Sequence, residues 1–473
     1  YLDQVDANDE NGFYLGLMVL VYGTSLKDLE DKRDTIRMIG EGLGLGFEPY
    51  YHRQEQAMNT CLPVGARRVD HMRSLLTSSM VAFQPFYSQE IMQPGGIFYG
   101  INKVSKNIIV GNRKTLKNPM GGIYGETGSG KGMFEKGEMG QVLVSTQDDI
   151  FILDPQGEFK EITKRFGGQY YELSPESSVY LNFLEIPEEI MYSEDQEEIR
   201  KFIGEKSGVA RAFCASIMGD LLFTGFHTSI VDRCIGMMYE EALRKPQPVS
   251  PTLFTFRKLI GEQKEPEARD IYIPLEAFTE GSMNMFAHQS NVSLNKRLVT
   301  FSLQKIAKAM WEPAMLIVMH ILSQRMDYNQ EMQRATWLYV DEAQEVCKVE
   351  SSALQLDKAF RTFRKYGGIC TMIMQNVSSA LQNDTTRDMI SAAEFKVFLG
   401  QSGADRNAME TILELSTAEL QEVLDAACGQ GLLIWGRKHV LLDATIPKDN
   451  PLYSLYSTNF HERIEDKKKS EDM

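Results

Sequence analysis

No run of residues in this sequence reaches the length of a membrane span, and none reads as a signal peptide, so a transmembrane segment is not expected in it. Metal-ligand spacing is missing too. Six cysteines (Cys61, Cys214, Cys234, Cys347, Cys370 and Cys428) form no CxxC pair, and the seven histidines are equally dispersed, which excludes a zinc-ribbon or finger framework. Three of the cysteines sit in apolar stretches, so free buried thiols in a reducing cytosol are expected and disulfides are not. Positive charge is in deficit: 50 Lys and Arg stand against 65 Asp and Glu, a net charge of −15. A surface that grips nucleic acid over its whole extent needs clustered Lys and Arg and is therefore excluded, although a local basic channel is not. What is present is 43% hydrophobic and 24% charged residues, the profile of a soluble globular protein. At 473 residues the chain exceeds one ordinary core, which predicts two or more domains.

The strongest local signal is Gly125-Glu126-Thr127-Gly128-Ser129-Gly130-Lys131-Gly132. A short apolar step, Gly122-Ile123-Tyr124, precedes it as the end of a buried strand, and Met133-Phe134-Glu135-Lys136 can open a helix after it. Strand, glycine-rich loop and helix form the context of a phosphate loop. The glycines let successive N–H groups turn toward phosphate oxygens, the helix N-terminus adds partial positive charge, and Lys131 would reach the β- and γ-phosphates. The usual pattern ends in GK[ST]. Here Gly132 takes the last place, so the hydroxyl that ordinarily holds Mg²⁺ is absent. The plain alternative is a glycine-rich surface turn.

A phosphate loop needs a second, acidic strand end, and Thr336–Gln344 (TWLYVDEAQ) supplies one. Its apolar and aromatic run suits a buried central strand and ends in two adjacent carboxylates. Asp341 would serve the Mg²⁺ shell, and Glu342 would orient or deprotonate the attacking water. Acidic residues also suit helix N-termini, which is the structural alternative for this pair.

Taken in order, Phe13–Tyr22 reads as a strand, a helix capped by Thr24 or Ser25 runs to about Gly40, and Phe47–Gln54 reads as a further strand. Gly42–Gly46 follows a helix, so it reads as a C-terminal turn and not as a nucleotide fingerprint. Opening on Tyr1 within what reads as a domain, the chain is expected to be a fragment or processed form. Gly96–Ile101 and Asn107–Gly111 form a hairpin leading into the loop. Strands follow at Asp149–Asp154 and Gln169–Leu173, and Asp154 either approaches the site or caps the turn at Pro155. Strand signals then fade. Glu188–Ile203, Phe213–Leu222 and Ser229–Leu243 carry helical spacing, and Lys245–Pro251 is a stiff connector. Strands resume at Arg297–Leu303, with a helix over Glu312–Met326, the Asp341 strand, Ile369–Met374, Phe395–Gly400, and a hairpin of Leu432–Trp435 with Val440–Leu442. His461–Met473 is charged enough to predict a disordered tail.

The fold class that follows is α/β on a glycine loop. "GGIYGETGSGKG", "DDIFILDPQGEFKEITKRFGGQYYELSP", "WLYVDEAQEV", "FRKYGG" and "MIMQNVSS" occur here in the order found in the conjugative-transfer ATPases of type IV secretion systems. This is the VirB-four class, TraC/TrbE/CagE-like, of the HerA–FtsK group, and the resemblance covers roughly residues 10 to 445. It implies a RecA-like P-loop NTPase core at 91–185 and 291–449, an all-helical insertion at 186–290, the end of a small α+β assembly domain at 1–90, and a tail at 450–473. It implies ATP and Mg²⁺ as cofactors, held by Gly125, Glu126, Thr127, Gly128, Ser129, Gly130, Lys131, Gly132 and Met133 with Asp341 at the metal. Glu342 would do the water chemistry, and Gln375 would sense the γ-phosphate unless it is a simple polar strand end. Arg361 and Arg364 would act across a subunit interface, or form a solvated face with Lys358 and Lys365.

The implied setting is cytoplasmic, peripheral to the cell membrane. Partners there would be other secretion components at its inner face, a homo-oligomer (hexamer or dimer), and weak or transient DNA contact. Three functions compete: a secretion motor, a DNA translocase or coupling ATPase of the same superfamily, and a nucleotide-bound assembly scaffold with little turnover.

Overall fold

Seven parallel strands and four antiparallel ones make one sheet, in the order β4-β3-β13-β12-β11-β5-β10-β9-β6-β8-β7. The strands are β3 (Ile97–Asn102), β4 (Ile108–Gly111), β5 (Gly121–Tyr124), β6 (Asp149–Asp154), β7 (Gln169–Glu172), β8 (Leu298–Ser302), β9 (Thr336–Val340), β10 (Gly368–Met374), β11 (Phe395–Leu399), β12 (Gln430–Trp435) and β13 (Lys438–Asp443). The computed structural model describes residues 11–457 apart from 64, 81–87, 220, 349, 376, 381–382, 407–408 and 411–414. The predicted tail at His461–Met473 lies outside the described residues. Two units are distinguished, Tyr1–Tyr87 and Ser88–Met473, and the sheet belongs to the second.

Every residue of β5, β6, β8, β9 and β10 is buried. That explains their continuous apolar reading, since a parallel sheet is covered on both faces. Alternation along each strand sends its side chains to two cores. Phe151, Leu153, Val340 and Met372 join one, which also takes in the helix Trp311–Glu331 and the helices between β7 and β8. Ile150, Ile152, Trp337, Tyr339 and Ile373 join the other, against Phe134, Met139 and Val142 of the helix Lys131–Ser145.

Between β7 and β8 every regular element among the described residues is helical. The single helix expected over Glu188–Ile203 is interrupted: one turn spans Glu188–Met191 and a long helix spans Gln196–Met218. Asp195 forces the restart, its carboxylate accepting from Glu197 N–H at 2.8 Å. No separate helix covers Phe213–Leu222. The long helix ends before Gly219, whose φ of 88° takes it out of helical geometry.

In the first unit, β1 (Gly12–Leu15) pairs antiparallel with β2 (Arg73–Leu76), a strand the sequence did not announce. The strand expected over Phe13–Tyr22 therefore stops at Leu15. Leu17, Leu20 and Tyr22 are exposed, so beyond Leu15 the run has neither a partner strand among the described residues nor a buried face. Ser25 caps the helix Leu26–Gly42 by accepting from Asp28 N–H at 3.2 Å. Gly42–Gly46 is the helix-terminal turn, with Gly44 at φ 74° and Leu45 N–H donating to the Gly40 carbonyl at 2.8 Å. Phe47–Gln54 is not a strand. Phe47 folds back onto the helix where Gly40 leaves no Cβ in its way, and a new helix starts at Gln54.

Four cysteines are buried and free, one more than the three that sit in apolar stretches, and Cys61 and Cys428 are exposed and free.

Candidate nucleotide-binding site

The carboxyl ends of β11, β5, β10, β9 and β6 lie side by side, the edge where open α/β sheets bind ligands. The glycine loop leaves β5 there and is pinned on both sides. Gly125 N–H donates to the Met374 carbonyl of β10 at 3.2 Å, and Glu126 N–H donates to the Gly400 carbonyl after β11 at 3.0 Å. Gly128 and Gly130 have φ of 87° and 93°, a region costly for other residues. At Gly130 space is also denied, because a Cβ would lie 2.8 Å from the Gly429 nitrogen. Gly429 braces the loop by donating its N–H to the Ser129 carbonyl at 2.8 Å. Glu126, Thr127 and Gly128 are exposed, whereas the Ser129 hydroxyl is buried without a hydrogen-bond partner. Lys131 opens the helix, so its N–H and that of Gly132 have no acceptor within it. Around Gly132 a Cβ would meet nothing within 4 Å. Met133 borders a cavity of about 380 Å³ that is also lined by Tyr99, Phe134, Thr445 and Ile446.

Lys131, Glu342 and Gln375 converge although they come from three segments. The Lys131 ammonium lies 3.7 Å from Glu342 Oε1, and Gln375 donates Nε2–H to that same oxygen at 2.6 Å. The Gln344 side chain donates to the other oxygen. Glu342 has φ 45°, a left-handed conformation that costs a non-glycine residue about 1 kcal/mol or more and is typical of functional strain. Asp341 precedes it, is 4% exposed, and is tied through its N–H to the Leu153 carbonyl at 3.1 Å. Burial pushes its carboxyl up to about 7; Lys131 opposes this, and Glu342, Asp154 and Glu158 add to it.

Asp154 is a turn cap: its carboxylate accepts from the N–H groups of Gly157, Glu158 and Phe159 at 2.7, 3.1 and 3.1 Å. Burial lifts its carboxyl nonetheless, against those three bonds. Arg361 and Arg364 are not brought to the loop. Both are exposed and precede the amino end of β10, while the loop sits at its carboxyl end; seven residues at about 3.3 Å each separate the two edges. Arg361 is engaged by Asp357 at 2.7 Å.

Two features escaped the sequence reading. Glu135, on the first turns of the loop helix, is buried, and its Oε2 has no hydrogen-bond partner. Burial raises its carboxyl well above the usual range, the Asp341 charge adds to this, and Lys136 and Lys131 oppose it. A glutamate four residues after Lys131 among Met133, Phe134 and Met139 was the available signal. The second is a buried cluster around Glu138, which accepts from Arg113, Tyr99 and Tyr339 at 3.1, 2.9 and 3.0 Å. Arg113 also donates to Thr371 of β10 at 2.8 Å, locking the helix to the sheet.

Residues 263–428 match the TraG P-loop domain. The TraG match takes in Asp341, Glu342 and Gln375, while the glycine loop precedes it. Among solved structures, VirB4 of Thermoanaerobacter pseudethanolicus aligns with a TM-score of 0.60 at 19% identity, covering 76% of this chain and 99% of that one. The plasmid coupling protein TrwB in complex with ADP and Mg²⁺ aligns at 0.46 with 14% identity, over 80% of this chain and 93% of its own. No curated protein matches the chain. The resemblance read from the ordered motifs and the RecA-like α/β class are both borne out. No helix among the described residues is long and apolar enough to cross a membrane.

Proposed function

We propose that the chain binds ATP with Mg²⁺ on the Gly125–Met133 loop and hydrolyses it, as the motor of a conjugative type IV secretion system. One observation carries the reading: Lys131, Glu342 and Gln375 meet at the carboxyl edge of the sheet, beside a loop whose N-terminal helix groups lack acceptors. A polyphosphate seated there takes up those N–H groups and draws the Lys131 ammonium from Glu342. Released from its cation, Glu342 keeps its orientation through Gln375 and Gln344 and presents a carboxylate to the attacking water. Gln375, bonded to that carboxylate, links the γ-phosphate position to the carboxyl end of β10.

Carboxylates outnumber cations here, so a triphosphate requires a counter-cation. Asp341 and the unpartnered Glu135 oxygen fit a hard divalent ion, which when bound would neutralise charge on the phosphates. The 380 Å³ cavity beside Met133 has the size and apolar lining for the base.

Arg361 and Arg364, at the far edge, serve the site of a neighbouring copy, which accords with a homo-oligomer, hexamer or dimer. In this reading the chain works in the cytoplasm against the inner face of the membrane, with other secretion components as partners and at most transient DNA contact. Gly132 favours one second reading, a nucleotide-bound scaffold with little turnover. ATP binding and hydrolysis by the full chain, with and without Mg²⁺, decides: nucleotide bound without turnover selects the scaffold, and no binding removes both readings.

A further inference from the structure

We propose that Glu135 takes the place of the hydroxyl that Gly132 lacks, forming with Asp341 a two-carboxylate seat for the divalent cation that accompanies the nucleotide. The inference rests on the nucleotide reading above and names the residue that completes it. On a helix of about 3.6 residues per turn, Glu135 projects about 40° from Lys131 and about 60° from Gly132, one turn deeper on the same face. Above it the Gly132 position is open, with nothing within 4 Å of a would-be Cβ. Below it Glu135 is 2% exposed, and its Oε2 is buried with no hydrogen-bond partner.

A buried carboxylate oxygen without a donor is costly, and such groups persist where a partner completes them. Lys131 and Lys136 both act on the Glu135 charge, yet neither bonds its Oε2. Lys131 leans to Glu342 at 3.7 Å, and Lys136 donates to the Tyr456 carbonyl at 3.4 Å with its ammonium over the Phe159 ring. Asp341, also buried, adjoins Glu342, which lies 3.7 Å from the ammonium of Lys131, one helical turn before Glu135. Magnesium takes oxygen ligands and commonly keeps several waters, so two carboxylates and phosphate oxygens suffice without a hydroxyl. Gly132 is then a vacated ligand position whose function has moved one turn along the helix.

The test uses the full chain with ADP bound and Mn²⁺ as the probe, bound ion being counted by electron paramagnetic resonance. Glu135→Gln keeps the shape and removes the charge. Mn²⁺ affinity should fall at least about tenfold, while ADP affinity in chelator stays as in wild type. Adding Gly132→Ser to Glu135→Gln should recover much of the loss, which a merely structural glutamate would not allow. Mn²⁺ binding unchanged in Glu135→Gln would overturn the inference. If Glu135→Gln does not fold, Gly132→Ser alone decides: less than about a twofold gain in Mn²⁺ affinity is expected with Glu135 in place, and a tenfold gain would refute it. Absence of ADP binding in wild-type chelated protein is a different failure, that of the nucleotide reading itself.

Discussion

Asp341→Asn should make the resting protein more stable, by an amount that depends on pH. The Asp341 carboxyl is raised from the ordinary 3.8 to about 7, chiefly by burial. Below pH 4 the aspartic acid is protonated in folded and unfolded chains alike, and ionisation costs nothing. Between about 4 and 7 the unfolded chain ionises and the folded one does not, so stability is lost as pH rises; above 7 the loss is complete. At about 1.36 kcal/mol per pH unit the ceiling is about 4 kcal/mol. Relaxation and water entry around the charged carboxylate reduce it, and a gain of about 1–3 kcal/mol for the asparagine at pH 8 is expected, vanishing near pH 4. The three tryptophans, Trp311, Trp337 and Trp435, all lie in the Ser88–Met473 unit, so their fluorescence in urea with chelator present reports on the part that holds Asp341. Equal stability of the two proteins at pH 8, or a less stable asparagine variant, would refute the reasoning.

Lys131→Ala should weaken ATP binding at least tenfold while circular dichroism stays unchanged, since the side chain's ion-pair partner is Glu342 at the sheet edge; full-strength binding would rule out the loop as the phosphate site. Gly130→Ala forces a side chain into φ 93° against Gly429, and should cost about 1–3 kcal/mol in urea unfolding together with nucleotide binding. Arg364→Ala and Lys131→Ala should each lack turnover alone yet regain part of it when mixed, because one supplies an intact loop and the other an intact arginine. No recovery in a mixture shown to co-assemble would place Arg364 outside the site.

The loop, the Asp341 strand and the Gln375 strand end were legible because each is set by local rules: glycine where φ is positive, and an unbroken apolar run where a parallel strand is covered on both faces. Glu135 and the Glu138–Arg113 cluster were not legible, since a glutamate in a helix reads as solvent-facing until the sheet is laid over it. Asp154 could have been ligand or cap, and only the positions of three backbone N–H groups settled it. The first unit was read least well. Its short strand pair joins Gly12–Leu15 to residues some sixty positions away, and no local pattern in Arg73–Leu76 announces the partner. Exposed apolar runs such as Gly16–Tyr22 mimic strands by composition alone.

In the proposed function Glu342, placed by Lys131, Gln375 and Gln344, handles the water of an ATP hydrolysis. Single-turnover hydrolysis of ATP with Mg²⁺ by the full chain, wild type against Glu342→Gln, tests it most directly, with nucleotide affinity measured on the same samples. The variant should bind ATP at least as tightly as wild type, having one fewer negative charge beside the phosphates, and its hydrolysis should fall by about a hundredfold or more. Hydrolysis at the wild-type rate in Glu342→Gln would contradict it.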